Sequence, residues 1–239
     1  MGRLVLLRHG ESEWNRDQRF TGWADVDLTE LGRAQMREAG RLLRDAGIDI
    51  DVVATSVLKR TVHSAWLVLD AMERCWLPVR SDWRLNERHY GALTGMSKPQ
   101  AILRFGDQQV HSWRRSYTIS PPDADAQASR FIPLDARYKV VPVQCIPQAE
   151  SLAQTSLRVQ AAWQEIQLEH VQTGQTVLVL SHGNTLRALT GLLEQLAPQA
   201  LVSLEVPNGA AIIYELDAQC RVLNKRTLHV AQASPSSIL

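Results

Sequence analysis

Arg3-Leu-Val-Leu-Leu-Arg-His-Gly-Glu-Ser12 opens the chain with four apolar residues, Leu4 to Leu7, that run straight into charge and glycine. So short and so apolar a run reads as a strand buried on both faces, as in the middle of a parallel sheet. Its carboxyl end carries Arg8, His9 and Gly10, where open α/β sheets present ligand-binding groups. Gly10 leaves room for a close backbone approach to a ligand. Taken alone, the stretch reads equally well as a strand that merely ends in polar residues. A second copy far downstream tips the balance: Thr176-Val-Leu-Val-Leu-Ser-His-Gly-Asn184. Again an apolar strand ends in His-Gly and a helical pattern follows at once. Two strands of one sheet would bring His9 and His182 side by side. Nothing recurs at a fixed period, so this is no repeat architecture.

A chain of 239 residues fits one large α/β domain or two small ones. With 45% hydrophobic residues, 21% charged residues and a net charge of +1, a soluble globular protein is expected. The near-neutral balance leaves no global footprint for nucleic acid or an anionic membrane, so any anion site comes from local clustering. No apolar stretch approaches the roughly 20 residues that span a bilayer. The amino-terminal apolar run is too short for a signal peptide. Cys75, Cys145 and Cys220 are odd in number and widely spaced, with no Cys-x-x-Cys. Buried thiols in a reducing compartment fit better than disulfides or a zinc site, so cytoplasm is expected.

Between the two His-Gly strands the pattern is helical with short strands. A helix is expected from an N-cap at Thr29 to Gly47, with Met36, Ala39, Leu43 and Ala46 inward. A strand over Ile50–Ala54 leads to Thr55-Ser56 as the cap of a second helix, with Leu58, Val62, Ala65, Leu69 and Met72 inward. Lys59 and Arg60 lie in its first turn, where the macrodipole disfavours cations unless an anion comes to the same place. Phe20-Thr-Gly-Trp23 reads as a compact turn: Trp23 packs, while Thr21 and Gly22 can donate to an anion. Trp83 to Gly95 holds Glu87, Arg88, His89 and Tyr90 in succession between Gly91 and residues that look buried. A carboxylate among cations can carry a proton in catalysis.

Two short helical segments over Lys98–Arg115 bring Lys98, Arg104, Arg114 and Arg115. Adjacent arginines suit a small, multiply charged anion, since each offers a fork to carboxylate or phosphate. Residues 120–148 show no period and read as a long connection, of the kind that forms lids or mobile segments. A helix over Glu150–His170 precedes the second His-Gly strand, and a further helix follows it. Strands are expected near Val202–Val206, Ala210–Leu216 and Val222–Leu228, then a mobile tail over Ala231–Leu239.

The chemistry follows from what is present and what is missing. The sequence lacks His-x-x-x-His and His-x-Asp pairs, a phosphate-binding Gly-x-x-x-x-Gly-Lys loop and a Gly-x-Ser-x-Gly elbow. What remains is a histidine nucleophile whose anionic partner is held by arginines. Imidazole can accept a phosphoryl group covalently and split one transfer into two in-line steps. Cations and a second histidine would stabilise charge on the transferring oxygens.

Arg8-His-Gly-Glu-Ser12 resembles the signature of the histidine phosphatase superfamily, with Ser181-His-Gly-Asn184 as its second half. Within it the chain resembles the cofactor-dependent phosphoglycerate mutases, which are primed by 2,3-bisphosphoglycerate. The matching runs are Arg8–Asn15, Phe20–Leu28, Thr55–Arg60, Trp83–Gly95, Trp113–Tyr117 and Ser181–Leu189, so the likeness covers nearly the whole chain. It implies a single three-layer α/β domain over 1–239, with a mostly parallel mixed sheet flanked by helices. It implies His9 as the phosphorylated nucleophile, and Arg8, Asn15, Arg60 and His182 around the transferring phosphoryl group. Thr21, Gly22, Gly183 and Asn184 complete that site, and Gly10, Glu11, Ser12, Glu13 and Trp14 belong to the same binding segment. Glu87 would be the acid and base for the substrate hydroxyl. Arg88, His89, Tyr90, Lys98, Arg114 and Arg115 would grip the far phosphate or carboxylate.

The implied reaction interconverts 3- and 2-phosphoglycerate, a step of glycolysis and gluconeogenesis, with no metal. The implied assembly is a homodimer or homotetramer. The rivals are a bisphosphoglycerate synthase and phosphatase, another histidine phosphatase, or a phosphate-binding module without turnover. The second anion site over Lys98, Arg114 and Arg115 favours a mutase. Pro99, after Lys98, interrupts where the family continues a helix, though Pro at a first helical position is harmless.

Overall fold

A computed structural model describes residues 1–229. Six strands form one sheet: β1 (Gly2–Arg8), β2 (Val52–Thr55), β3 (Val79–Ser81), β4 (Thr176–Ser181), β5 (Ala210–Leu216) and β6 (Val222–His229), in the order β3-β2-β4-β1-β5-β6. β2 pairs parallel with β3 and β4, and β4 pairs parallel with β1. β1–β5 and β5–β6 are antiparallel. The sheet is therefore mixed, and β1 has one parallel and one antiparallel neighbour.

Successive side chains of a strand face opposite ways, so β1 feeds two cores. Leu4 and Leu6 join Val177, Val179 and Tyr214 under helices that supply Val159, Trp163, Leu186 and Leu189. Val5 and Leu7 join Leu178 and Leu180 under helices that supply Met36, Leu43, Val68 and Leu69. The helices are α1 (Glu13–Arg16), α2 (Glu30–Asp45), α3 (Lys59–Ala71), α4 (Lys98–Phe105), α5 (Asp107–Arg115), α6 (Ala126–Ser129), α7 (Leu152–Ile166), α8 (Gly183–Glu194) and α9 (Pro198–Ser203). No helix among the described residues is long and apolar enough to cross a membrane.

Two glycines fix how α2 meets the end of β1. A Cβ on Gly10 would lie 2.2 Å from the Gly32 carbonyl oxygen, and one on Gly32 would lie 2.0 Å from the Glu11 carbonyl oxygen. Gly10 therefore serves a close approach of α2, not of a ligand. Gly32→Ala is expected to cost about 2 kcal/mol by overpacking, lowering Tm by about 6 °C. An unchanged thermal midpoint would show that the helix simply shifts.

Several expectations are corrected. Thr29 caps α2 as expected, its side chain accepting from the Gly32 N–H. α3 instead begins after Leu58, which offers no side-chain cap. Ser56 Oγ accepts the Leu58 N–H and Asp25 Oδ1 accepts the Lys59 N–H, so the cap comes from outside the turn. Val202–Val206 is not a strand. Pro198 starts the helix α9, which ends at Ser203, and Leu201 packs on Gly191. Both edges of β1 are already taken by β4 and β5, which leaves that segment no strand to pair with there. Cys75 and Cys145 are exposed and only Cys220 is buried. Pro99 sits in the first turn of α4, where Ser97 provides a capping box with Gln100. The expected tail, Ala231–Leu239, lies outside the described residues.

Candidate active site

Parallel pairing of β1 with β4 puts Arg8 opposite Ser181, and the His9 N–H donates to the Ser181 carbonyl at 3.0 Å. The two His-Gly strand ends therefore meet, with the rings of His9 and His182 edge-on and their centroids 5.1 Å apart. His9 Nδ1 lies 2.7 Å from the Gly10 carbonyl oxygen. A carbonyl only accepts, so Nδ1 carries the proton and the lone pair belongs to Nε2. Burial, then the charges of Arg60 and Arg8, hold the His9 pKa well below the ordinary 6.5. Burial does the same to His182, followed by Arg60. Both rings are neutral near pH 7. His182 is fully buried against Ser56 Oγ at 2.8 Å, and its Nδ1 has no hydrogen-bond partner.

His9 opens into a cavity of about 290 Å³. Arg60 lies at its base, buried, donating to the carbonyls of Ala24 and Gly22 at 2.8 Å each. Burial lowers its pKa to about 10, which still leaves it charged at neutral pH. Arg8 donates Nη1 to the Val206 carbonyl at 3.0 Å, while its buried Nε has no partner. A Cβ on Gly183 would come within 3.4 Å of Arg8 Cζ, so glycine there keeps the guanidinium's face clear. Asn15, Thr21 and Gly22 also line the cavity.

The same cavity is lined by a second group of cations, Lys98, Arg114 and Arg115. A separate small core of Phe20, Leu93, Ala101, Val110 and Trp113 packs α4 and α5 so that these three converge. Burial lowers the Lys98 pKa, and the neighbouring charge of Arg114 lowers it further. Clustered cations of this kind call for an anion.

Glu87 lines the same cavity on a loop that is held from several sides, close enough to Arg8 and Arg60 for its charge to counter the burial that lowers both their pKa values. Its Oε1 accepts from the Arg88 N–H at 2.8 Å and from the Asn184 N–H, in the first turn of α8, at 3.2 Å. A carboxylate suits a helix amino end. The loop's carbonyls are clamped as well. Trp23 Nε1 donates to Glu87 O at 2.7 Å and Thr185 Oγ1 to Asn86 O at 2.6 Å. Arg158 donates to the carbonyls of Arg84, Asn86 and Glu87, and pairs with buried Glu150 at 2.7 Å. Glu150 in turn accepts the His89 N–H.

Of the residues expected at the site, Arg8, His9, Trp14, Asn15, Thr21, Gly22, Arg60, Glu87, Tyr90, Lys98, Arg114, Arg115, Gly183 and Asn184 line the cavity. Others do not. Glu11 Oε1 accepts from Thr29 Oγ1 and secures the start of α2, Ser12 caps α1, and Glu13 is exposed. Arg88 is buried over the Tyr90 ring and donates to the Trp113 carbonyl, so it braces the wall. His89 is buried against Trp23, its Nδ1 accepts the Gly91 N–H, and burial lowers its pKa to about 4. His182 stands behind His9, off the lining.

Besides Gln18, Arg19, Val206 and Pro207, which also line the cavity, several residues had their part in the site unrecognised in the sequence. Arg187 lines the cavity from one turn past Asn184, to whose Oδ1 it donates at 3.2 Å. Glu205 lines it from the loop before β5. Trp23 is more than packing, as its indole N–H holds Glu87 O. Arg158 had a signal: it falls three residues after Thr155 and four before Ala162, both fully buried on the inner face of α7. Residues 120–148 contribute nothing to the cavity lining. Tyr138 stacks on Trp23 at 5.3 Å and accepts from Asn86 Nδ2, so this connection backs the site from behind. Among the described residues, no three His, Cys, Asp or Glu side chains converge as metal ligands would.

The pattern of the histidine phosphatase superfamily (branch 1) matches residues 4–141 and 134–228. A 2,3-bisphosphoglycerate-dependent phosphoglycerate mutase of Baumannia cicadellinicola subsp. Homalodisca coagulata is 43% identical over 230 residues, covering 96% of this chain and 97% of that one. Solved structures share the fold. A mycobacterial glucosyl-3-phosphoglycerate phosphatase superposes with a TM-score of 0.73 at 24% identity, covering 97% of this chain and 100% of that chain. Bacillus stearothermophilus YhfR gives 0.71 at 24%, covering 92% and 93%. With paired His-Gly strand ends, arginines around His9 and these two lines of sequence likeness, the chain belongs to the histidine phosphatase superfamily.

Proposed function

We propose that this protein interconverts 3-phosphoglycerate and 2-phosphoglycerate through a phosphohistidine at His9, as an intramolecular phosphotransferase. The observation that carries this reading is one cavity lined by two groups of cations: Arg8 and Arg60 beside His9, and Lys98 with Arg114 and Arg115. A substrate with two anionic groups fits such a cavity, and the carboxylate of Glu87 on the same lining can move a proton. The near full-length mutase relative supports the same reaction.

The residues divide the work in a way the geometry supports. Nε2 of His9 bears the lone pair for in-line attack on phosphorus. Buried His182 backs His9, and Arg8 and Arg60 line the cavity where they would meet phosphoryl oxygens, Arg8 with a buried Nε that has no partner. Their charge is worth most where water is excluded. Glu87 takes the proton from the acceptor hydroxyl as phosphorus leaves Nε2, and returns one when the other phosphoryl group comes back. The distal cations hold the substrate's remaining anionic group while this happens.

A priming donor is part of the reading. The buried, unpartnered Arg8 Nε with Arg60, and the second group of cations, Lys98, Arg114 and Arg115, fit a molecule with two phosphates, such as 2,3-bisphosphoglycerate. That molecule supplies the phosphoryl group that charges His9. Two finer expectations accompany the proposal: a cytoplasmic site of action, and an assembly of two or four copies. Trp66 and Trp76, 56% and 74% exposed, are large apolar surfaces of the sort that interfaces cover.

Interconversion is expected to require catalytic 2,3-bisphosphoglycerate and to survive removal of divalent metal by chelation. The assay follows both phosphoglycerates and released phosphate. Turnover that persists after complete removal of the primer would refute the primed cycle. Phosphate release outpacing isomerisation would instead identify a phosphatase, and accumulation of bisphosphate a synthase.

A further inference from the structure

The inference here rests on the proposed reading of the cavity as a site for a substrate with two anionic groups, and concerns a residue that works against that charge. The cavity is lined by cations, yet besides Glu87 it contains a second carboxylate, Glu205. Glu205 Oε1 accepts from Arg115 Nη2 at 3.1 Å, and the side chain is 74% exposed. The backbone on either side is fastened to the site itself. The Leu204 carbonyl accepts from Arg187 Nε at 2.6 Å, and the Val206 carbonyl accepts from Arg8 Nη1 at 3.0 Å. Two cations of the cavity thus carry the carboxylate to a third.

We propose that Glu205 is a specificity-determining residue, a built-in carboxylate that occupies Arg115 and is displaced by the distal anion of the substrate. An exposed ion pair is weak, so its partner is exchangeable. A free anion must displace Glu205 from bulk solution. An anion tethered to a phosphoryl group already seated by His9 does so at a high effective concentration. Glu205 thereby lowers the occupancy of Arg115 by free anions from bulk solution, at a modest cost in affinity for the tethered distal anion of the substrate. It also neutralises part of the Lys98, Arg114 and Arg115 cluster when no substrate is bound.

The test is a double-mutant cycle on Glu205→Gln and Arg115→Gln, read as Kd by calorimetry in the full chain. The probes are 3-phosphoglycerate and inorganic pyrophosphate, a compact molecule with two anionic ends. Glu205→Gln alone should tighten binding about three- to fivefold, the size of an exposed pair. In the Arg115→Gln background the same change should have less than half that effect on a logarithmic scale. An unchanged Kd in the single variant overturns the proposal. So does a gain that persists undiminished without Arg115, since that is a general field effect and not release of one guanidinium. If 3-phosphoglycerate fails to bind the unaltered protein while pyrophosphate binds and shows the coupling, the functional reading falls and the role of Glu205 stands.

Discussion

His9→Ala should abolish acid-labile phosphoryl labelling and lower turnover by on the order of 10⁴-fold or more, the loss typical of removing a covalent nucleophile. The structure says which atom is lost. With Nδ1 donating to the Gly10 carbonyl, Nε2 is the free lone pair, and it faces the arginines. His9→Gln is the sharper variant, because it keeps an amide near the same place but cannot become a stable phosphoryl carrier. Undiminished labelling in either variant would exclude His9 as the acceptor.

The sign of the pH dependence follows from the same environment. Burial, Arg60 and Arg8 all disfavour a charged imidazole and lower the His9 pKa well below 6.5. Protonation removes the lone pair, so labelling should fall only at pH values below the ordinary imidazole range. A labelling limb centred at or above pH 6.5 would mean that His9 is less enclosed than it is here.

How much of this was legible in the sequence depends on whether the information was local. The β1 and β4 runs end in His-Gly, and a buried strand followed by a polar terminus needs no distant context to be read. α2 was equally plain, since Met36, Ala39 and Leu43 keep helical spacing behind a Thr cap. Gly10 shows where local reading stops. Its lack of a side chain was visible, but the partner that needs the space is Gly32, twenty-two positions on and in another element. Glu150, just before α7, was hidden for a similar reason, and Arg158 showed only its spacing against Thr155 and Ala162. A charged pair between a helix and the residue that leads into it is indistinguishable from a solvated one until the Glu87 loop is laid across it. Residues 202–206 were misread as a strand because the helix that Pro198 starts runs on to Ser203 and covers the first part of the segment. The connection over 120–148 has no period because it packs residue by residue, Tyr138 on Trp23 and Arg137 on Asp25, instead of presenting a face. Family likeness pointed to Lys98 and Arg114 as binding residues, and the α4–α5 core supplies the reason both line the cavity.

Glu87→Gln should lower mutase turnover by about 10²- to 10⁴-fold, the span of general acid–base catalysis. The substitution is nearly isosteric, and an amide oxygen can still accept from the Arg88 and Asn184 N–H groups that now hold Oε1. What it removes is the capacity to take and return a proton. That distinction gives a test which a structural role would not pass. A sugar-type alkoxide needs a proton as it leaves phosphorus, whereas an aryl phosphate expels a stable anion and needs none. Labelling of His9 by an aryl phosphate should therefore stay near the unaltered rate in Glu87→Gln, while transfer to and from phosphoglycerate hydroxyls fails. Near-normal mutase turnover would move proton transfer to another group. Loss of aryl phosphate labelling would instead show that Glu87 acts by holding the amino end of α8 and the Asn184 amide in place. Glu87→Ala separates the two contributions further, because it leaves both N–H groups in a buried site without their acceptor and should lower thermal stability as well.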